Sequence, residues 1–241
     1  MKPTFLRLLI PVLFLSIYSN SYAQVKLSKL FCDHMVMQRD MEIPVWGWAS
    51  PNQEIAVIFD GQNYPTQADS EGNWRVELPP MSTGETHQMK VVSGEEEIVI
   101  NDIVMGDVWL CSGQSNMEWI LKATENADME IENANDGLIR HFKVKRGGAY
   151  EPENEIPDGK WEVCSPKTAE NFTAVGYYFA KELRSSQNIP IGLLNSSWGG
   201  SRIEAWMTPE SLGLPNGQDA IKKIEDQRKK VNESRIKMLE A

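Results

Sequence analysis

Two short turns in this sequence carry residue types that can do chemistry together: Gly113-Gln114-Ser115-Asn116 and Ser197-Trp198-Gly199-Gly200-Ser201. Acyl transfer needs a nucleophilic oxygen beside backbone N–H groups aimed at the developing oxyanion. Ser115 offers a hydroxyl and an N–H of its own. Gly199 and Gly200 offer N–H groups that no side chain screens. A serine in such a turn can equally be the N-cap of the next helix. The second glycine of a Gly-x-Ser-x-Gly elbow is missing, because Met117 stands in its place.

Those turns are useful only if the chain brings them together. Val108-Trp109-Leu110-Cys111 is a continuous apolar run, which predicts a strand buried on both faces and ending at Gly113. Ile191 to Asn195 reads the same way and ends at the second turn. From Val104 onward, strands alternate with helices, the pattern of a parallel α/β sheet, in which both turns open on one edge. Between them lie an acidic helix over 126–135, a strand over 138–144, a loop rich in Gly, Pro and charge over 146–159, and an extended piece over 161–164. A helix capped by Asn171 or Thr173 then runs to about Ser186, with Val175, Tyr178, Phe179 and Leu183 on its apolar face. A charged helix over 218–240 carries a narrow stripe of Ile221, Ile224, Val231 and Met238, suited to packing on the domain surface or to a partner helix.

Residues 24–103 show a different rhythm. Val25–Phe31, Met41–Ala49, Ile55–Phe59, Tyr64–Ala68, Trp74–Leu78, Gln88–Val92 and Glu97–Ile103 are short strands broken by turns such as Asp60-Gly61. This predicts an antiparallel β-sandwich. Trp46, Trp48 and Trp74 are expected in its core, although aromatics there can also stack on sugar rings.

Residues 1–23 read as a secretory signal peptide: Lys2 and Arg7, an apolar stretch from Leu8 to Ile17, and Ser21-Tyr22-Ala23 before the cut. The expected organisation is therefore a signal peptide at 1–23, a β-sandwich at 24–103 and an α/β domain at 104–241. The product would be secreted or periplasmic, with no membrane span once the leader is removed. A net charge of −10 in 241 residues argues against nucleic acid as a partner. Cys32, Cys111 and Cys164 are too few and too far apart for a disulfide framework or a zinc site. His34, His87 and His141 lack metal-ligand spacing, so neither a metal nor an organic cofactor is expected. Nothing in the pattern sets an oligomeric state.

The stretch Gly106-Asp-Val-Trp-Leu-Cys-Ser-Gly-Gln-Ser-Asn-Met-Glu-Trp119 resembles the nucleophile block of sialate O-acetylesterases and related SGNH-type carbohydrate acetylesterases. Ile191-Gly-Leu-Leu-Asn-Ser-Ser-Trp-Gly-Gly-Ser-Arg-Ile-Glu-Ala-Trp-Met207 resembles their second block. Asp33–Arg39 and Ile43–Ala49 resemble their N-terminal β-sandwich. The resemblance implies an SGNH/flavodoxin-like parallel sheet and Ser115 as nucleophile. It places the amides of Ser115 and of Gly199 or Gly200 in the oxyanion hole, with Gln114, Asn116 and Trp198 against the substrate. The implied reaction removes O-acetyl groups from an acetylated carbohydrate, in the manner of a sialate 9-O-acetylesterase. The chain departs from the family in lacking both a Gln-Gly-Glu and an Asp-x-x-His block, the latter supplying the base. It therefore reads as an esterase whose hydrolase domain is C-terminally incomplete. The alternative is a non-catalytic protein that binds acetylated glycans.

Overall fold

A computed structural model describes residues 24–149, 152–208, 210–213 and 217–239. The expected signal peptide lies outside them. In chain order the strands of the first part are β1 (Lys26–Leu27), β2 (Val36–Gln38), β3 (Ile43–Trp48), β4 (Glu54–Phe59), β5 (Gln62–Gln67), β6 (Asn73–Leu78) and β7 (His87–Ser93). Then comes β8 (Glu96–Gly113), which is 18 residues long. The second part adds α1 (Ser115–Glu118), α2 (Ala127–Glu132), β9 (Ile139–Lys143), β10 (Trp161–Val163), α3 (Ala174–Gln187), β11 (Ile191–Ser197) and α4 (Gly217–Leu239).

The strands form two sheets. One has three strands in the order β1-β3-β6, all antiparallel. The other is a mixed sheet of eight strands in the order β10-β9-β11-β8-β7-β4-β5, with β2 alongside β8. β8 joins the two halves of the mixed sheet. Its first part pairs antiparallel with β7, and Asp107 to Gly113 pair parallel with Ile191 to Ser197 of β11. The position where the sequence pattern changes, at 103/104, thus falls inside one unbroken strand.

Period-2 alternation decides which residues go inside. Val45, Val57, Trp74, Val76, Leu78, Met89 and Val91, drawn from both sheets, fill one core with Met35, Val36 and Met37. A second core lies between the parallel strands and α3, formed by Cys111, Leu121, Phe172, Tyr177, Ala180, Ile191 and Leu193. The Asp60-Gly61 hairpin forms as expected, with positive φ at both residues (51° and 73°).

Several expectations need correction. Trp109 and Leu110 are 43% and 66% exposed. Among the described residues, β8 has β11 on one side and no strand on the other over 107–113, so it is an edge there, not a strand buried on both faces. On α3 the buried side is Ala174, Gly176, Tyr177 and Ala180, while Val175, Tyr178 and Phe179 face outward. Small residues win because the helix must come close: a Cβ on Gly176 would lie 3.1 Å from Cys111 Sγ. Val25–Phe31 shrinks to the two residues of β1, and β2 forms where no strand was expected. On α4, Val231 and Met238 are exposed, so they do not make the expected packing; the side chains of Ile221 and Ile224 lie outside the described residues. The three cysteines are free thiols. No helix among the described residues is long and apolar enough to cross a membrane.

Candidate active site

β8, β11 and β9 run parallel, so Gly113, Ser197 and Lys143 end at one edge of the sheet. Gly113 leaves the strand with φ of 133°, a conformation that favours glycine, and turns the chain into α1. Ser115 is the first residue of α1 and Gln114 its N-cap, so Ser115 is not the cap itself. Its Oγ donates to Gln114 Oε1 at 3.3 Å. Gln114, Ser115 and Asn116 are all exposed.

The second turn folds back against the first. Trp198 N–H donates to Gly113 O at 2.9 Å. A Cβ on Gly199 would stand 3.6 Å from Ser115 Oγ and 3.6 Å from Ser115 Cα. The predicted nucleophile and glycine turn are therefore neighbours, and a side chain at 199 would cover the hydroxyl. Of the two glycine amides, that of Gly199 is committed: it donates to Glu118 Oε2 at 2.7 Å. Gly200, with φ of 78°, has no amide partner among the described residues.

Glu118 lies inside the nucleophile motif but has no place in the sequence-based site. Its other oxygen receives Arg146 Nε at 2.9 Å and Nη2 at 2.5 Å. The Arg146 guanidinium also stands 5.6 Å from the centre of the Trp198 ring, which is 40% exposed. Burial pushes the Glu118 carboxyl up, but the bonds from Arg146 and Gly199 and the charges of Arg146 and Lys143 outweigh it and hold it below its ordinary value.

Behind the turn runs a buried polar chain. Lys143 Nζ donates to Ser197 Oγ at 2.9 Å and Asn195 Oδ1 at 3.3 Å, and Ser197 Oγ donates to Asn195 Oδ1 at 2.6 Å. Asn195 Nδ2 meets His141 Nε2 at 3.3 Å. Burial pulls the Lys143 ammonium below its ordinary value, Arg146 adding and Glu118 opposing. His141 is 1% exposed, stacks on Phe172 at 4.5 Å and is pulled down to about 3 by burial and by Lys143. It is neutral and sealed in the core, hence no base for an exposed serine. His34 and His87 pair with Asp102 and Asp60 in the N-terminal half. Lys143, Asn195 and Ser197 were signalled only by their positions at the ends of strands that share Ser115's edge. Arg146 sits in a stretch read as loop. Among the described residues no three His, Cys, Asp or Glu side chains cluster as a metal site.

The Gly113–Asn116 and Ser197–Ser201 turns thus meet at the carboxyl ends of neighbouring parallel strands, the edge at which α/β sheets carry their ligand sites. The profile described as carbohydrate esterase, sialic acid-specific acetylesterase, matches residues 105–239, and the chain belongs to this family. It is 30% identical over 209 residues to sialate O-acetylesterase of Mus musculus, covering 78% of this chain and 39% of that protein. The Homo sapiens sialate O-acetylesterase is 31% identical over 209 residues, at 75% and 39% coverage. Among solved structures, a carbohydrate acetylesterase from Xanthomonas citri superposes with a TM-score of 0.77 at 45% identity, covering 80% of this chain and 45% of that one. The chain thus spans less than half the length of these relatives.

Proposed function

We propose that this chain carries the nucleophile side of a carbohydrate O-acetylesterase centre, cleaving O-acetyl esters of sugars of the sialate type through Ser115. Attack of Ser115 Oγ on the acetyl carbonyl forms an acyl-enzyme and releases the sugar hydroxyl; water then frees acetate. The amide of Ser115 and one from the Gly199-Gly200 turn receive the oxyanion, and Gln114, Asn116 and Trp198 line the approach. The observation that carries this reading is the 3.6 Å between Ser115 Oγ and the Cβ position of Gly199, which sets hydroxyl and glycine turn side by side. Serine needs a base, and His34, His87 and His141 are each committed elsewhere, so the base of this centre is a residue other than these three. As part of the same proposal, residues 24–103 are a β-sandwich and residues 1–23 direct export.

The test is turnover of p-nitrophenyl acetate by the purified chain against Ser115→Ala, with binding of an acetylated sialic acid measured on both. Turnover in the wild type that disappears in the variant is the expected result. Absent turnover with retained binding of the acetylated sugar would overturn the catalytic reading.

A further inference from the structure

One side chain reaches across from the nucleophile turn to the glycine turn. Glu118 closes α1, and its two carboxylate oxygens serve two elements: Oε2 takes the Gly199 N–H, and Oε1 takes two N–H groups of Arg146. Its own backbone is fixed, since Glu118 N–H donates to Gln114 O at 2.9 Å. The side chain is 20% exposed, and Arg146 in turn lies against the Trp198 ring. Trp198, Gly199, Glu118 and Arg146 therefore close a ring of contacts around the peptide unit beside Ser115. We propose that Glu118 is the positioning residue that sets the distance between the Gly199-Gly200 turn and Ser115, with Arg146 holding its carboxylate in place. The inference rests on reading Ser115 as the nucleophile.

Glu118 acts through Gly199 and does not touch the reacting atoms. By fixing one amide of the Gly-Gly pair it leaves the amide of Gly200 as the free donor of the turn. The space for a Cβ at 199 is also limited by this carboxylate, 2.6 Å away, which gives a reason for glycine at that position. A charge-assisted bond from a backbone N–H to a carboxylate is short and directional, suited to holding a turn in register.

The test has two arms on the whole chain. In the first, Ser115 is labelled with a fluorophosphonate and the rate followed by intact mass for wild type, Glu118→Ala, Glu118→Gln and Arg146→Ala. Labelling is expected to slow about tenfold or more in Glu118→Ala and less in Arg146→Ala. Glu118→Gln, which keeps an acceptor for the Gly199 N–H, should recover most of the rate. In the second arm, hydrogen exchange of the Gly199 amide is expected to speed up about tenfold in Glu118→Ala and to stay near wild type in Glu118→Gln. Equal labelling of wild type and Glu118→Ala, or unchanged exchange at Gly199, overturns the proposal. A wild type that resists the fluorophosphonate while Gly199 exchange still depends on Glu118 sinks the nucleophile reading and leaves the clamp standing.

Discussion

The hydroxyl of Thr173 donates to the carbonyl of Met117 at 2.6 Å, tying the start of α3 to the segment that carries Ser115. The same oxygen accepts the Gly176 N–H at 3.5 Å as the α3 N-cap. Neighbouring backbone bonds, Ala174 N–H to Trp119 O and Leu121 N–H to Phe172 O, complete the seam. Thr173→Val keeps the shape and loses both bonds. It is expected to cost about 1–2 kcal/mol in denaturant unfolding, and Thr173→Ser to cost less. Because the seam holds the turn that carries Ser115, the proposed ester turnover should also fall in Thr173→Val and recover in Thr173→Ser.

Gly199→Ala places a methyl group 2.6 Å from Glu118 Oε2 and 3.6 Å from Ser115 Oγ. Gly199 sits near the surface, so the expected loss of stability is small, below about 1 kcal/mol. On the reading of Ser115 as the nucleophile, the methyl group crowds its hydroxyl and shifts the turn. Turnover of p-nitrophenyl acetate is therefore expected to fall by about 10²-fold, the size of effect a misplacement of about 1 Å can have. A variant that unfolds in step with its lost activity would contradict this.

His141 gives the fold a dependence on acid. Its folded pKa of about 3 lies below the ordinary value of 6.5, so between those limits the unfolded chain binds a proton that the folded chain refuses. Its contribution is complete above about pH 6.5 and is lost as pH falls toward 3, with a slope of at most about 1.4 kcal/mol per pH unit. Asp102, Glu118 and Glu130, whose pKa values lie below the ordinary carboxylate range, lose their contributions only at lower pH. Urea midpoints between pH 6 and 5 should therefore fall in the wild type and stay flatter in His141→Phe.

Arg140 is 3% exposed, and its guanidinium serves Met35 O, Gly137 O and both the carbonyl and carboxylate of Asp102. Three segments thus converge on one side chain: the approach to β2, the bend of β8 at Asp102, where φ is 56°, and the start of β9. Arg140→Met removes a buried charge that is paired with Asp102 and the side-chain donors that tie the three segments together. A loss of about 3 kcal/mol or more is expected by denaturant unfolding.

The order of elements was legible in the sequence because short alternating strands and strand-helix alternation are local patterns. Ser115, Gly199 and Gly200 were legible through turn chemistry alone, and the parallel pairing of β8 with β11 then brings them to one edge as expected. The exposure of Trp109 and Leu110 was not legible: a continuous apolar run marks a strand, but whether both sides are covered depends on neighbours elsewhere. The buried face of α3 was misjudged for a related reason, since hydrophobicity pointed to Phe179 while the closeness of β8 and β11 required Ala and Gly. Glu118, Arg146 and Lys143 have no local signature, because each acquires its partner only when distant loops meet.

β8 pairs in turn with β7, β2 and β11. A slip of one residue against β7 would exchange the faces of every side chain along it and move Gly113 by about 3.4 Å relative to β11. Alignment errors made in the N-terminal strands would therefore be delivered to the Ser115 hydroxyl. The strand works as a ruler, and the N-terminal half of the mixed sheet is the fixed mark from which the position of Ser115 is measured.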